Sequence, residues 1–214
     1  MPTPDPHALP PLARPADALK AAAIEELPLS GVRCERADLS GADLSGLSVR
    51  GCAFVGCRFA AANLTQLDAR DCLFLCCDFS GAHAMDAYFG GCCFEECKAV
   101  GLDARHTLWR DTRLAHSQLA YANFDNAALE RTQIERCSLA HAFFTHARFR
   151  RTRPEGVDFT GVNFTGTALS GMDFTACRLE GLTVSQGAPE LAGAVVSPQQ
   201  AVGLCTLFGL VVKG

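Results

Sequence analysis

The chain has 214 residues, 20% of them charged, and a formal net charge of −4. No apolar run reaches the length that spans a membrane, and the acidic balance argues against direct nucleic-acid binding. A small, single, elongated domain is the plain expectation.

The first 15 residues are rich in proline and lack an apolar core, which predicts neither a signal peptide nor a structured cap and places the protein in the cytoplasm. Ala16 to Leu27 is richer in helix formers, with Asp17 in what would be the first turn. A short helix is therefore predicted to cover the open start of the next domain, so that residues 1–26 form a tail and capping helix.

From Leu29 to Val184 every fifth residue belongs to one register of 32 positions, among them Leu39, Leu44, Val49, Phe54, Phe59 and Leu64. A second series of small or apolar residues lies two positions earlier, and neither series contains a charge. Five helical residues advance about 500°, which carries the apolar set around every side of a helix. In a strand, an odd spacing throws successive members onto opposite faces. Residue i stays inside only if the chain turns a corner once per repeat, so 27–184 is predicted to be an all-β solenoid. A longer period of 20 stacks Phe54, Phe74 and Phe94, then Cys52, Cys72 and Cys92, then Thr112, Thr132 and Thr152. Four corners make one turn, giving about eight coils and a rod roughly 38 Å long at strand spacing.

Eight of the twelve cysteines occupy the small inward series, where they act as compact hydrophobes. Their columns do not converge tetrahedrally and hold no histidine, so no metal or cofactor is expected. Cys76 and Cys93 fall outward and are the better candidates for reactivity. His83, His106, His116, His141 and His146 are also outward and scattered, and no nucleophile or phosphate-loop motif occurs. No catalytic residue is predicted, and the protein is read as a non-enzyme.

Two positions depart from the repeat. Trp109 follows Ala99 and Ala104 in the central series, which reads as one large ring filling space its neighbours leave. Pro154 replaces a central apolar residue and removes a ladder donor, predicting a bulge or bent corner. Arg148, Arg150, Arg151 and Arg153 crowd around it and are the candidate partner contacts.

Beyond the repeats, residues 185–214 carry Ser197 as an N-cap, Pro198 at the first helical position and Gln200 closing a capping box, which predicts a helix over 198–208. Ala201, Leu204, Cys205 and Phe208 form an apolar stripe, followed by Leu210 and Val212. This face is expected to cover the last coil and to join two copies in a homodimer without a free strand edge.

The repeats AlaAspLeuSerGly at Ala37 and Ala42, with ValAspPheThrGly at Val157, resemble the pentapeptide-repeat family. That resemblance implies a right-handed quadrilateral β-helix. The ending Gln200, Ala201, Leu204, Phe208, Gly209, Leu210, Val212, Gly214 resembles the Qnr/MfpA quinolone-resistance group. It implies a rod-shaped dimer that imitates duplex DNA, engages a type II topoisomerase (DNA gyrase or topoisomerase IV) and protects it from quinolones, with no cofactor. The register leaves no room for projecting loops, and charge is uneven: residues 1–104 carry 8 cations and 14 anions, residues 105–153 carry 9 and 4, residues 155–214 carry 2 and 5. A basic middle is thus expected, which also supports a second reading, a protein-interaction scaffold of unknown partner.

Overall fold

The computed structural model describes residues 4–212. It is a quadrilateral β-helix in which the chain runs up through stacked courses of four sides and four corners. Side one is a seven-stranded parallel sheet from Leu29–Ser30 to Arg148–Arg150, and side two is a second, from Arg33–Glu35 to Arg153–Glu155. Sides three and four pair through a single bridge at each course, from Asp38 to Arg178 and from Asp43 to Thr183. Those two sides carry the eight passages expected from the repeat, while the sheets of sides one and two stop at seven strands.

Backbone bonds along each side, with one more from the corner amide, such as Ala61 to Ser80 (2.9 Å), tie each course to its neighbours. The Arg58 amide donates down to the Ala37 carbonyl (2.9 Å) and the Phe59 amide donates up to Asp78 (2.6 Å). Corners turn through one left-handed residue: glycine at Gly41 and Gly46, but Asp71, His106 or Arg131 at others. On sides three and four the polar residue before the central one secures the corner. Asp43 accepts from the Ser45 amide (3.1 Å) and hydroxyl (2.8 Å), and Asn63 accepts from Thr65 (3.1 Å). The Ser45 bonds hold the Asp43 carboxyl below its ordinary range.

Inside, identical residues pile face to face. Phe54, Phe74 and Phe94 stack at 5.0 and 4.6 Å between centroids, and Phe124 stacks on Phe144 at 4.7 Å. Burying each ring is worth about 1.5–3 kcal/mol. Trp109 lies fully inside, stacked on Phe89, its indole N–H donating to Thr107, and the space left beside Ala84 and Ala99 amounts to about 20 Å³. Volume compensation is therefore nearly complete.

The inward cysteines also act as donors. Cys72 and Cys92 point their thiols at the Val49 and Ala69 carbonyls, and higher in the same column Thr112, Thr132 and Thr152 point hydroxyls at Phe89, Trp109 and Leu129. Cysteine gives way to threonine because either one fits a small inward site and satisfies a carbonyl there.

Both ends are covered. Helix α1 (Pro15–Ile24) buries Leu19 and Ala22 in the core at the first course and ends three residues before Leu27. The proline-rich segment before it is structured, contrary to expectation: Leu12 donates to the Arg33 carbonyl (2.8 Å) and Arg33 donates to Pro10 (2.9 Å), so Pro10–Leu12 lies along the lower edge of side two. Proline suits an edge because its missing N–H falls on the unpaired side. At the other end the capping box on α2 (Pro198–Leu204) forms, but the helix is shorter than predicted and tightens into a 3₁₀ turn over Cys205–Phe208. The Gln200 side-chain amide also donates to the Phe174 and Cys177 carbonyls, fastening α2 to the last course.

Candidate partner-binding surfaces

Surface charge separates across the rod as well as along it. Between residues 29 and 184, sides one and two with their following corners hold twelve cations and ten anions, whereas sides three and four with theirs hold four and eight. The basic middle expected from sequence therefore lies on one flank.

Three of its arginines are neutralised by neighbouring courses. Arg113 reaches Glu95 (2.6 Å) and Glu135 (2.7 Å), tying three courses together, Arg131 pairs with Asp111 (2.6 Å), and Arg110 pairs with Glu130 (3.0 Å). Arg148, Arg150, Arg151 and Arg153 differ. All four are exposed around the corner between sides one and two, and among the described residues none has a carboxylate within ion-pair distance.

Directly above them the ladder is interrupted. Pro154 does not bulge: it stays buried in its strand, paired below with Ile134. By the rule that sends the Phe59 amide to Asp78, position 154 requires an N–H aimed at the Asp173 carbonyl, and proline has none. The loss spreads around the corner. Among the described residues no backbone hydrogen bond joins 147–156 to 168–176, and pairing resumes only where the Arg178 amide donates to Val157 (2.9 Å). The eighth course bonds upward instead, through Leu169 to Glu190 and Phe174 to Val195 (both 2.9 Å). On side two the seam opens into a groove of about 560 Å³ between Arg153–Glu155 and Asp173–Ala176. On side one it leaves Phe149 only half-buried, unlike Phe54 or Phe144 in the courses below.

Glu190 holds the far side of this seam. Its buried carboxylate accepts from the Gly166 amide (2.8 Å), the Ser185 amide (3.1 Å) and the Ser185 hydroxyl (2.5 Å). Burial pushes its carboxyl up, but the bonds from Ser185 and Gly166 outweigh that and hold it below its ordinary value. Nothing in the local sequence marked this residue, because its partners come from two other turns.

The third surface is the C-terminal end. Leu204 and Leu207 turn into the last course, so Leu204 is spent on the protein's own core rather than on an interface. Ala201, Phe208, Leu210 and Val212 are exposed and Cys205 is half-buried; Val202 and Val211 enlarge the same apolar end. Gly214 of the C-terminal pattern lies outside the described residues.

The outward cysteines split. Cys76 is exposed, but burial of the thiol and its bond to Glu96 raise its pKa, away from the reactive thiolate. Cys93, expected outside, is buried beneath Arg113, and burial raises its thiol too. Among the described residues no three His, Cys, Asp or Glu side chains converge as a metal site, and no helix is long and apolar enough to cross a membrane.

Two family models match this architecture: the pentapeptide repeat region over residues 67–144, and pentapeptide repeats (8 copies) over 29–54, 37–74, 129–166 and 145–181. The chain belongs to the pentapeptide-repeat family. No curated relative matches it. Among solved pentapeptide-repeat structures, a trypsin-treated form of QnrB1, a plasmid-mediated fluoroquinolone resistance protein, is 23% identical over 87% of this chain and 92% of its own, with a TM-score of 0.38. HetL, involved in heterocyst differentiation regulation in the cyanobacterium Nostoc sp. strain PCC 7120, is 18% identical over 78% of this chain and 84% of its own, with a TM-score of 0.36. These pentapeptide-repeat proteins are named for different roles, so function is argued below from the surface.

Proposed function

We propose that this protein is a non-catalytic recognition rod of the Qnr type, dimeric through its C-terminal ends, which presents its acidic flank to a type II topoisomerase in place of duplex DNA. The observation that carries this reading is the separation of charge: sides three and four offer a net negative surface, with Asp43 and Asp86 exposed, while the free arginines face the other way. Cationic grooves built for phosphate attract such a surface and are not repelled by arginines on the opposite flank. The exposed apolar end around Phe208 and Leu210 supports the twofold junction. With an unbroken register, contact is made by the rod's own sides.

The test is a gyrase supercoiling assay poisoned with ciprofloxacin. Added protein is expected to restore activity, and Asp43→Lys with Asp86→Lys to abolish the rescue. No restoration at high molar excess rejects the reading. The second reading, an interaction scaffold for another protein, is favoured by the unpaired arginines; a partner captured by the protein and lost on Arg148→Glu supports it.

A further inference from the structure

The open seam and the arginine corner coincide, and their chemistry is complementary to one kind of ligand. We propose that the lower lip of the seam, residues 147–156, is a docking site for an extended acidic segment of a partner protein. The lip has the two components of strand addition, free backbone groups and a means of selecting side chains. Where lower courses pair upward, the Phe149, Arg151 and Gly156 amides and the Thr152 and Pro154 carbonyls have, among the described residues, no backbone partner above them. An unpaired ladder of this kind is a template for another strand.

Selection comes from charge. The four guanidiniums stand on the outward positions and corner of this same course, and the residues stacked above Arg148, Arg150 and Arg151 are Ala168, Ser170 and Gly171, too short to cover them. Arginine matches carboxylates with a planar fork of donors, and among the described residues none of these four forms an ion pair. A long polyanion is disfavoured: a duplex lying along the rod would meet Glu130 and Glu135 below the lip and Asp173 above it, and the core aromatics are unavailable for stacking bases. A short segment needs only the one course. The groove of about 560 Å³ on side two is lined by Glu135, Glu155 and Asp173 as well as Arg153, so it takes the uncharged residues of the segment, whose carboxylates meet Arg148, Arg150 and Arg151 on side one and at the corner.

The experiment uses the full chain and a fluorescent peptide of alternating Glu and Val, roughly six residues, the length of an average strand. Saturable binding that weakens with salt is expected. Arg148→Glu with Arg151→Glu should weaken it roughly tenfold or more, and N-methylation of alternate peptide amides should do the same. Pro154→Val keeps every arginine and restores the missing donor toward Asp173; it should close the seam, raise the melting temperature and remove binding. A scrambled-charge peptide with Lys for Glu should not bind. The proposal is overturned if the acidic peptide does not bind, if N-methylation or Pro154→Val leaves binding intact, or if single-stranded DNA competes as well as the peptide. None of these arms involves a topoisomerase, so their failure leaves the proposed function untouched.

Discussion

The seven courses up to Glu155 and the course above them are built from the same five-residue unit, yet the lower ones are bonded on four sides and the eighth is bonded to the seventh on two. The difference begins with one amide. In a stack where each course touches only its neighbours, a missing donor is not averaged over the fold but concentrated in one seam. The body can thus be rigid while one joint near its end stays open, with four unpaired arginines beside that joint.

Substitutions sharpen this contrast. Phe74→Ala, in the middle of a three-ring stack, is expected to cost about 3–5 kcal/mol in denaturant titrations, whereas Phe149→Ala at the half-buried lip should cost less than half of that; equal costs would show that the seam is closed in solution. Glu190→Leu leaves the Gly166 and Ser185 donors unmatched and should cost about 2–3 kcal/mol, read as faster hydrogen exchange above the seam while the body stays protected. The acid response has the same address. Because the Glu190 carboxyl lies below its ordinary value of 4.5 in the folded protein, its contribution is complete above that value and is lost as pH falls through the lower folded one. The C-terminal end should therefore exchange faster on acidification from pH 5 downward, an effect Glu190→Leu should erase. Thr132→Val leaves the Trp109 carbonyl without its donor at about 1 kcal/mol, while Thr132→Cys should be nearly neutral. Smallest in reach is Ser197→Ala, which should cost about 1 kcal/mol and fray only α2, seen by exchange at Gln200 and Ala201.

Much of the body was legible because burial repeats. Columns such as Phe54, Phe74 and Phe94, and the capping box of Ser197 and Gln200, follow from spacing alone. Surface neutralisation was not, since partners such as Arg131 and Asp111 stand 20 residues apart and only the stacked courses bring them together. Cys93 was misplaced for a related reason: its position points outward, but the long Arg113 side chain folds over it. Proline composition spoke against a structured cap at Pro10–Leu12, although an edge strand has a use for a residue without an N–H. Pro154 was recognisable as a defect, yet its extent depends on Glu190 and Val195 drawing the eighth course upward, which no local pattern carries.

The segment from Pro10 to Leu12 has a bearing on growth. A helix of stacked parallel strands is in principle an endless polymer, since each face it finishes is the seed for the next molecule. Here two prolines already occupy that seed on side two, so head-to-tail fibres find no purchase at this end. The opposite tip keeps Phe208, Leu210 and Val212 exposed, and under the twofold junction proposed above, adhesion by that tip alone ends at a pair.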